Sequence, residues 1–135
     1  MPSKAIFHTL NRIHIFLYRK SGGRILGKIV GSPVLLLTTI GRKTGQARTV
    51  PIVYLPDDQH YVVMATDDPA WYRNLQTTWQ ASVEIKGQTV AVTGRDANAD
   101  ESVDLWAKIV TQSPAFKSAQ GKSGHQLVIL EPVPL

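Results

Sequence analysis

The 135-residue sequence predicts an α+β fold, a six-stranded antiparallel barrel or half-open barrel with helices inserted between strands and one helix ahead of them. Three observations predict it. From Pro33 onward, short apolar and β-branched runs alternate with Gly-, Pro- and Asp-containing turns at hairpin spacing. Helix signals fall between only some of these runs, so the strands are not separated by the crossovers that a parallel sheet needs. The length suits one domain with its own core, residues 1–135, and is short for two.

The elements follow in chain order. Lys4 to about Lys20 reads as a helix, with Ile6, Leu10, Ile13 and Leu17 forming one apolar stripe and Arg12 and Arg19 on another face. Two readings of this basic segment, residues 1–24, stand open: a helix packed on its own domain, or one lying on a membrane surface. "SGGR", Ser21 to Arg24, breaks it. Val34 to Thr39 is continuously apolar and β-branched, as for a strand buried on both faces. A glycine-flanked turn leads into a second strand, about Arg48 to Leu55, in which Pro51 requires an edge or a bulge. "PDDQ" then turns the chain into a third strand, His60 to Thr66.

In "DDPAWYRNLQ", Asp67 or Asp68 is positioned to cap a helix whose first residue is Pro69. Strands at about Ala81–Lys86 and Gln88–Arg95 flank a turn at Gly87. Asn98 with Glu101 is a capping box opening a helix that carries Val103, Leu105, Trp106, Ile109 and Val110 and stops at Pro114. His125 to Leu130 is the sixth strand.

Charge is distributed unevenly. The net charge is +5, yet residues 1–56 hold nine Lys or Arg and no acid, whereas the remainder holds six bases and ten acids. Such asymmetry points to an anionic partner for the first part, or to a solvated basic face. With no cysteine there is no disulfide, thiolate metal site or cysteine nucleophile, which suits a cytoplasmic protein. His8, His14, His60 and His125 lack metal-ligand spacing, so no metal site is expected. The strands from Val34 to Thr66 supply only Tyr54 and Tyr61 as aromatics, too few for a nucleic-acid platform.

The sharpest cluster is "GRKTGQAR". Arg42, Lys43, Thr44 and Arg48 place two guanidiniums, an ammonium and a hydroxyl around Gly41 and Gly45. That set matches a phosphate in chemistry, although Gly45-Gln46 fails the P-loop pattern and a solvated hairpin tip would look similar. In "WYRNL", Trp71 can stack on a flat ligand or anchor a short helix.

Together, "LYRKSGGR", "VLLLTTIGRKTGQAR", "DDPAWYRNL" and "LVILEP" resemble the deazaflavin-dependent nitroreductase family, within the flavin-binding split-barrel superfamily that includes the pyridoxamine phosphate oxidases. The resemblance runs over nearly the whole chain. It implies a split barrel that binds coenzyme F-420, an 8-hydroxy-5-deazaflavin with a phosphate and an oligoglutamate tail. It also implies hydride transfer to a small electron-poor acceptor such as a quinone, enone or nitroaromatic. Arg42, Lys43, Thr44, Gly45 and Arg48 would then hold phosphate and tail. Val50, Pro51, Ile52 and Val53 would lie along the ring, Ala65 and Thr66 would approach it from another side, and Trp71 and Tyr72 would stand at the rim. Tyr54, Thr66 and Tyr72 are the catalytic candidates. The same resemblance implies a homodimer, and a cytoplasmic protein or one peripheral to the inner face of the cell membrane. FMN or haem in the same barrel, or a carrier that turns nothing over, are the alternatives.

The sequence departs from that family in three places. "ATDDPAWY" is short and acidic, and Asp67 and Asp68 would oppose a polyanion by about 1 kcal/mol each if they faced its pocket. "TQSPAFKSAQ" puts Ser113, Phe116 and Ala119 where hydroxyl donors are expected. "AQGKSGHQLV" lacks the usual acid–arginine pair. The cofactor side of the resemblance is retained better than the substrate side.

Overall fold

The computed structural model describes residues 12, 15, 16, 18–20, 28–29, 32–112 and 124–134. Of the expected first helix, Arg12, Ile15, Phe16 and residues 18–20 are described and helical. Its stripe Ile6, Leu10, Ile13 and Leu17, the break at Ser21–Arg24, Pro114 and the segment holding Ser113, Phe116 and Ala119 lie outside the described residues.

Among the described residues eight strands form: β1 (Lys28–Ile29), β2 (Ser32–Ile40), β3 (Ala47–Val53), β4 (Leu55–Asp57), β5 (His60–Thr66), β6 (Gln80–Ile85), β7 (Gln88–Asp96) and β8 (His125–Pro132). Helices α1 (Ala70–Thr78) and α2 (Ala99–Gln112) are inserted after β5 and β7. Even without the two-residue β1 there are seven strands, so the expected six is corrected. The reason is Tyr54. It interrupts what looks like one run from Arg48 to Leu55 and sends its two halves to different partners: β3 pairs with β2, and β4 with β5.

All pairings are antiparallel, in the order β3-β2-β6-β7-β8-β5-β4, with β1 also on β2. Strands β3 and β4 are therefore the two edges of a curled sheet, joined by a single residue. Pro51 lies opposite Leu36 on the β3 edge, as a residue without an N–H requires. The β6–β7 reversal is a two-residue turn at Lys86 and Gly87, both at positive φ (51° and 80°), the twist that favours tight hairpins.

Strand β2 is buried on both faces, with Val34, Leu35, Leu36 and Leu37 each at most 2% exposed. Inward positions Leu35, Leu37, Val63, Ala65, Val83, Val92, Val128 and Leu130 fill the barrel with Tyr54 and Leu75. Intervening positions on β5 and β8, Val62, Leu127 and Ile129, pack outward on Leu105 and Ile109 of α2. The end of α1 approaches β7 at Gly94, whose amide donates to the Trp79 carbonyl at 2.7 Å. A Cβ there would stand 3.0 Å from a Leu75 methyl and 3.3 Å from the Trp79 ring, so glycine sets how closely the helix docks.

Two helix starts meet different outcomes. At α2 the capping box forms as expected: the Glu101 amide donates to Asn98 Oδ1 (2.8 Å), and the Asn98 amide donates to Glu101 Oε1 (3.1 Å). At α1 the N-cap is Pro69, in extended conformation, and neither Asp67 nor Asp68 caps. Both aspartates have φ of 55°, a left-handed backbone that does not present a side chain to the free amides as an extended N-cap does. Asp68 pairs with Arg73 at 2.6 Å instead.

Glu101 also takes a bidentate pair from Arg95, which bonds Glu131 as well. Those donors hold the Glu101 carboxyl at about 2, below its usual 4.5. A carboxyl lowered on folding adds stability above the ordinary value, and that stability is lost as pH falls from about 4.5 toward 2. Glu101→Gln is expected to cost about 1 kcal/mol at neutral pH and to flatten acid denaturation in that window. Urea melts of both proteins across that range measure it.

Candidate functional site

The glycine-flanked turn closes the β2–β3 hairpin after the Ile40–Ala47 pair. The Gly41 amide donates to the Gln46 carbonyl and the Gly45 amide to the Gly41 carbonyl, both at 2.8 Å, with Gly45 at φ 71°. Thr44 Oγ1 accepts from the Gln46 amide at 3.2 Å, so this hydroxyl is part of the turn's own bonding. Arg42 is anchored: its amide (3.2 Å) and Nη1 (2.8 Å) both donate to Oδ1 of Asn74, a buried residue of α1. Lys43 and Arg48 are exposed and make no ion pair among the described residues.

A cavity of about 1130 Å³ opens along the β3 edge. Residues 47–52 of β3 form one wall, Pro69, Ala70 and Trp71 at the start of α1 a second, and Arg12, Ile15, Phe16, Arg19 and Lys20 a third. Its lining is mainly apolar, and its charged residues are four cations, Arg12, Arg19, Lys20 and Arg48, with no Asp or Glu among them; Arg19 is paired with Glu84. Asp67 and Asp68, which would oppose an anion, are absent from that lining, and Asp68 is neutralised by Arg73.

The residues named from the sequence are distributed as follows. Arg48, Val50, Pro51, Ile52 and Trp71 line the cavity together. Arg42, Lys43, Thr44 and Gly45 sit in the turn at the Ala47 end of β3. Val53 packs on the outer core beneath α2, and Ala65 is buried inside the barrel. Tyr54 is 9% exposed and edge-on to Tyr61 at 5.8 Å, and burial raises its phenol above the ordinary value. Tyr72, beside Trp71, donates to Asp96 Oδ1 at 2.7 Å; desolvation and that bond push its phenol up to about 12. Thr66 is exposed, with its hydroxyl 3.0 Å from His125 Nδ1.

Sequence reasoning passed over Asn74 and the helical wall. A signal for the wall was present: Arg12, Ile15, Phe16, Arg19 and Lys20 recur at i, i+3, i+4, i+7 and i+8, one helix face. No local pattern distinguishes Asn74 from a surface amide.

Asn74→Ala would leave the Arg42 amide without its acceptor. The expected cost is about 1–3 kcal/mol of stability, with faster amide exchange through residues 41–46. Denaturant melts and hydrogen exchange measure the two effects.

Comparison with known proteins follows the same outline. Residues 10–132 match the model of a family described as F420H(2)-dependent quinone reductase. An F420H(2)-dependent quinone reductase of Mycobacterium tuberculosis is 30% identical over 134 residues, covering 93% of this chain and 87% of that protein. The solved structure of an F420-H2 dependent reductase superposes with a TM-score of 0.63 at 27% identity, over 73% of this chain and 94% of the other. A haem storage protein of Vibrio cholerae shares the fold, with a TM-score of 0.58 at 15% identity over 93% of this chain and 92% of the other.

Proposed function

The chain belongs to the F420H(2)-dependent quinone reductase family, and on that premise we propose that it binds coenzyme F-420 in the cavity beside β3 and uses it to reduce quinones. The observation that carries this reading is the cavity's composition: a mainly apolar lining that includes four cations and no carboxylate. A flat deazaflavin ring suits such a lining and a phosphate with acidic residues suits its cations. FMN offers less anion for the four cations, and the haem storage protein shares only the fold.

When bound in its reduced form, the coenzyme supplies a hydride to an electron-poor acceptor. The chain's own residues do the rest. Arg48, with Lys43 and the remaining N–H groups of Arg42, would hold the phosphate through charge-assisted bonds. Val50, Pro51 and Ile52 would support the ring and exclude water, and Trp71 would bound the space in which a flat quinone can lie. Thr66, whose exposed hydroxyl lies 3.0 Å from His125 Nδ1, stands outside the cavity lining, so solvent water is the proton source this reading favours. Tyr54 is buried and Tyr72 directs its proton to Asp96, so both suit packing and orientation. Enones and nitroaromatics share the electron-poor character of quinones and are secondary acceptors.

No described helix is long and apolar enough to cross a bilayer. The membrane-surface reading of the first helix gains no support from its described residues, because Arg12, Phe16, Arg19 and Lys20 line the cavity.

The test is a fluorescence titration with oxidised coenzyme F-420 beside FMN and haem, followed by anaerobic oxidation of the reduced coenzyme by a quinone. Micromolar or tighter binding of coenzyme F-420 alone, with quinone-dependent turnover, is expected. Tighter binding of FMN or haem overturns the reading. Arg48→Ala should weaken coenzyme binding by about 1.5–3 kcal/mol, roughly tenfold or more.

A further inference from the structure

Tyr18, in the motif "LYRKSGGR", has no part in the reading above, yet it makes a distinctive contact. Tyr18 is 1% exposed. Its hydroxyl lies 3.1 Å from the Val34 carbonyl and 3.2 Å from the Glu84 carbonyl, to which it donates, and it accepts from the Lys86 amide at 3.3 Å. One phenol thus ties the N-terminal helix to β2, to β6 and to the β6–β7 turn. Arg19 adds a peripheral tie, its Nε donating to Glu84 Oε2 at 3.2 Å.

With Tyr18 turned into the sheet, Arg12, Phe16 and Lys20, four residues apart, turn to the cavity. Lys20 Nζ stands 5.5 Å from the centre of the Phe16 ring. Neither Arg12 nor Lys20 has an ion-pair partner among the described residues. Eight residues at about 1.5 Å each set the backbone anchors of Arg12 and Lys20 about 12 Å apart along the helix axis. Anchors spaced along a helix in this way suit an extended polyanion better than a single compact phosphate. The compact basic turn at residues 41–46 has the opposite geometry.

We propose that the N-terminal helix is a built wall of the binding site, in which Arg12 and Lys20 hold the acidic tail of the coenzyme opposite Arg48, and Tyr18 is the positioning residue that holds both in place. The proposal rests on the reading that this cavity takes coenzyme F-420. It divides the ligand's charge: the phosphate goes to the turn and Arg48, and the tail goes to the helix.

The experiment uses the full chain and two ligands, coenzyme F-420 and the same deazaflavin lacking phosphate and tail, titrated by fluorescence at fixed salt. For the double variant Arg12→Gln/Lys20→Gln, coenzyme affinity should fall roughly tenfold, while affinity for the tail-less deazaflavin stays within error. Tyr18→Phe should show the same selective loss. If that variant folds poorly, exchange of the Lys86 amide, which donates to the Tyr18 hydroxyl, is followed in the unaltered protein: slower exchange with coenzyme than with the tail-less deazaflavin is expected, and equal exchange overturns the positioning role.

Undiminished coenzyme binding by the double variant overturns the assignment of the tail. Equal loss of both ligands by Tyr18→Phe overturns its positioning role, because general loosening of the barrel would weaken the ring as much as the tail. If the unaltered protein binds neither ligand, the cofactor reading falls and this inference with it. If it binds the coenzyme but the double variant is unaffected, only this inference falls.

Discussion

β3 and β4 are neighbours in the chain, with Tyr54 alone between them, and yet they are the two opposite edges of the sheet. One residue spans only about 3.5 Å, so the sheet has to curl until its edges nearly meet. It does not close by hydrogen bonds. Pro51 on one edge strand and Pro56 on the other each lack an N–H, and an edge with a missing donor is a poor template for another strand. Tyr54 is buried at the crossing, its amide donating to the Pro33 carbonyl at 3.0 Å. The barrel is thus split by its own connectivity, and the unpaired side of β3 is left to form the wall of a cavity.

Charge separation along the chain becomes charge separation in space. Acids of the later part are engaged by bases from the same part: Asp68 by Arg73, Asp57 by Lys108, and Glu101 and Glu131 by Arg95. Glu84 reaches back to Arg19. Cations of the first part therefore keep most of their field, and Arg12, Arg19, Lys20 and Arg48 gather around one apolar recess. In such a recess the low-dielectric wall focuses the field on whatever anion enters.

Much of the fold was legible because its signals are local. β-branched runs, Gly87 in a two-residue turn and the Asn98–Glu101 box each report the backbone within a few residues. The strand count was not legible, because the change of pairing partner at Tyr54 lies inside an unbroken apolar run, Val50 to Leu55. The capping role of Asp67 and Asp68 failed because nothing in two consecutive aspartates announces a left-handed backbone. Arg48, Val50, Pro51, Ile52 and Trp71, named through the family resemblance, come together in the lining of one cavity because a strand edge and a helix start carry them. The helical wall had the right spacing but was overshadowed by the apolar stripe at Ile6, Leu10, Ile13 and Leu17. Asn74 owes its role to being buried beneath the hairpin, a fact of tertiary packing alone.

Asn74 also decides what kind of object the basic turn is. A solvated hairpin tip has no need of a buried amide, whereas here one carbonyl oxygen accepts both the amide and the guanidinium of Arg42. The turn is consequently held in one arrangement without help from a ligand, so an anion arriving there meets donors already in place. Trp71 stands three residues before Asn74, on the same face of α1. The helix that bounds the apolar part of the cavity therefore also fastens the cationic turn. A shift of α1 would move both together, which makes the docking of α1 against Gly94 the setting that keeps the cavity's apolar wall and the basic turn in register.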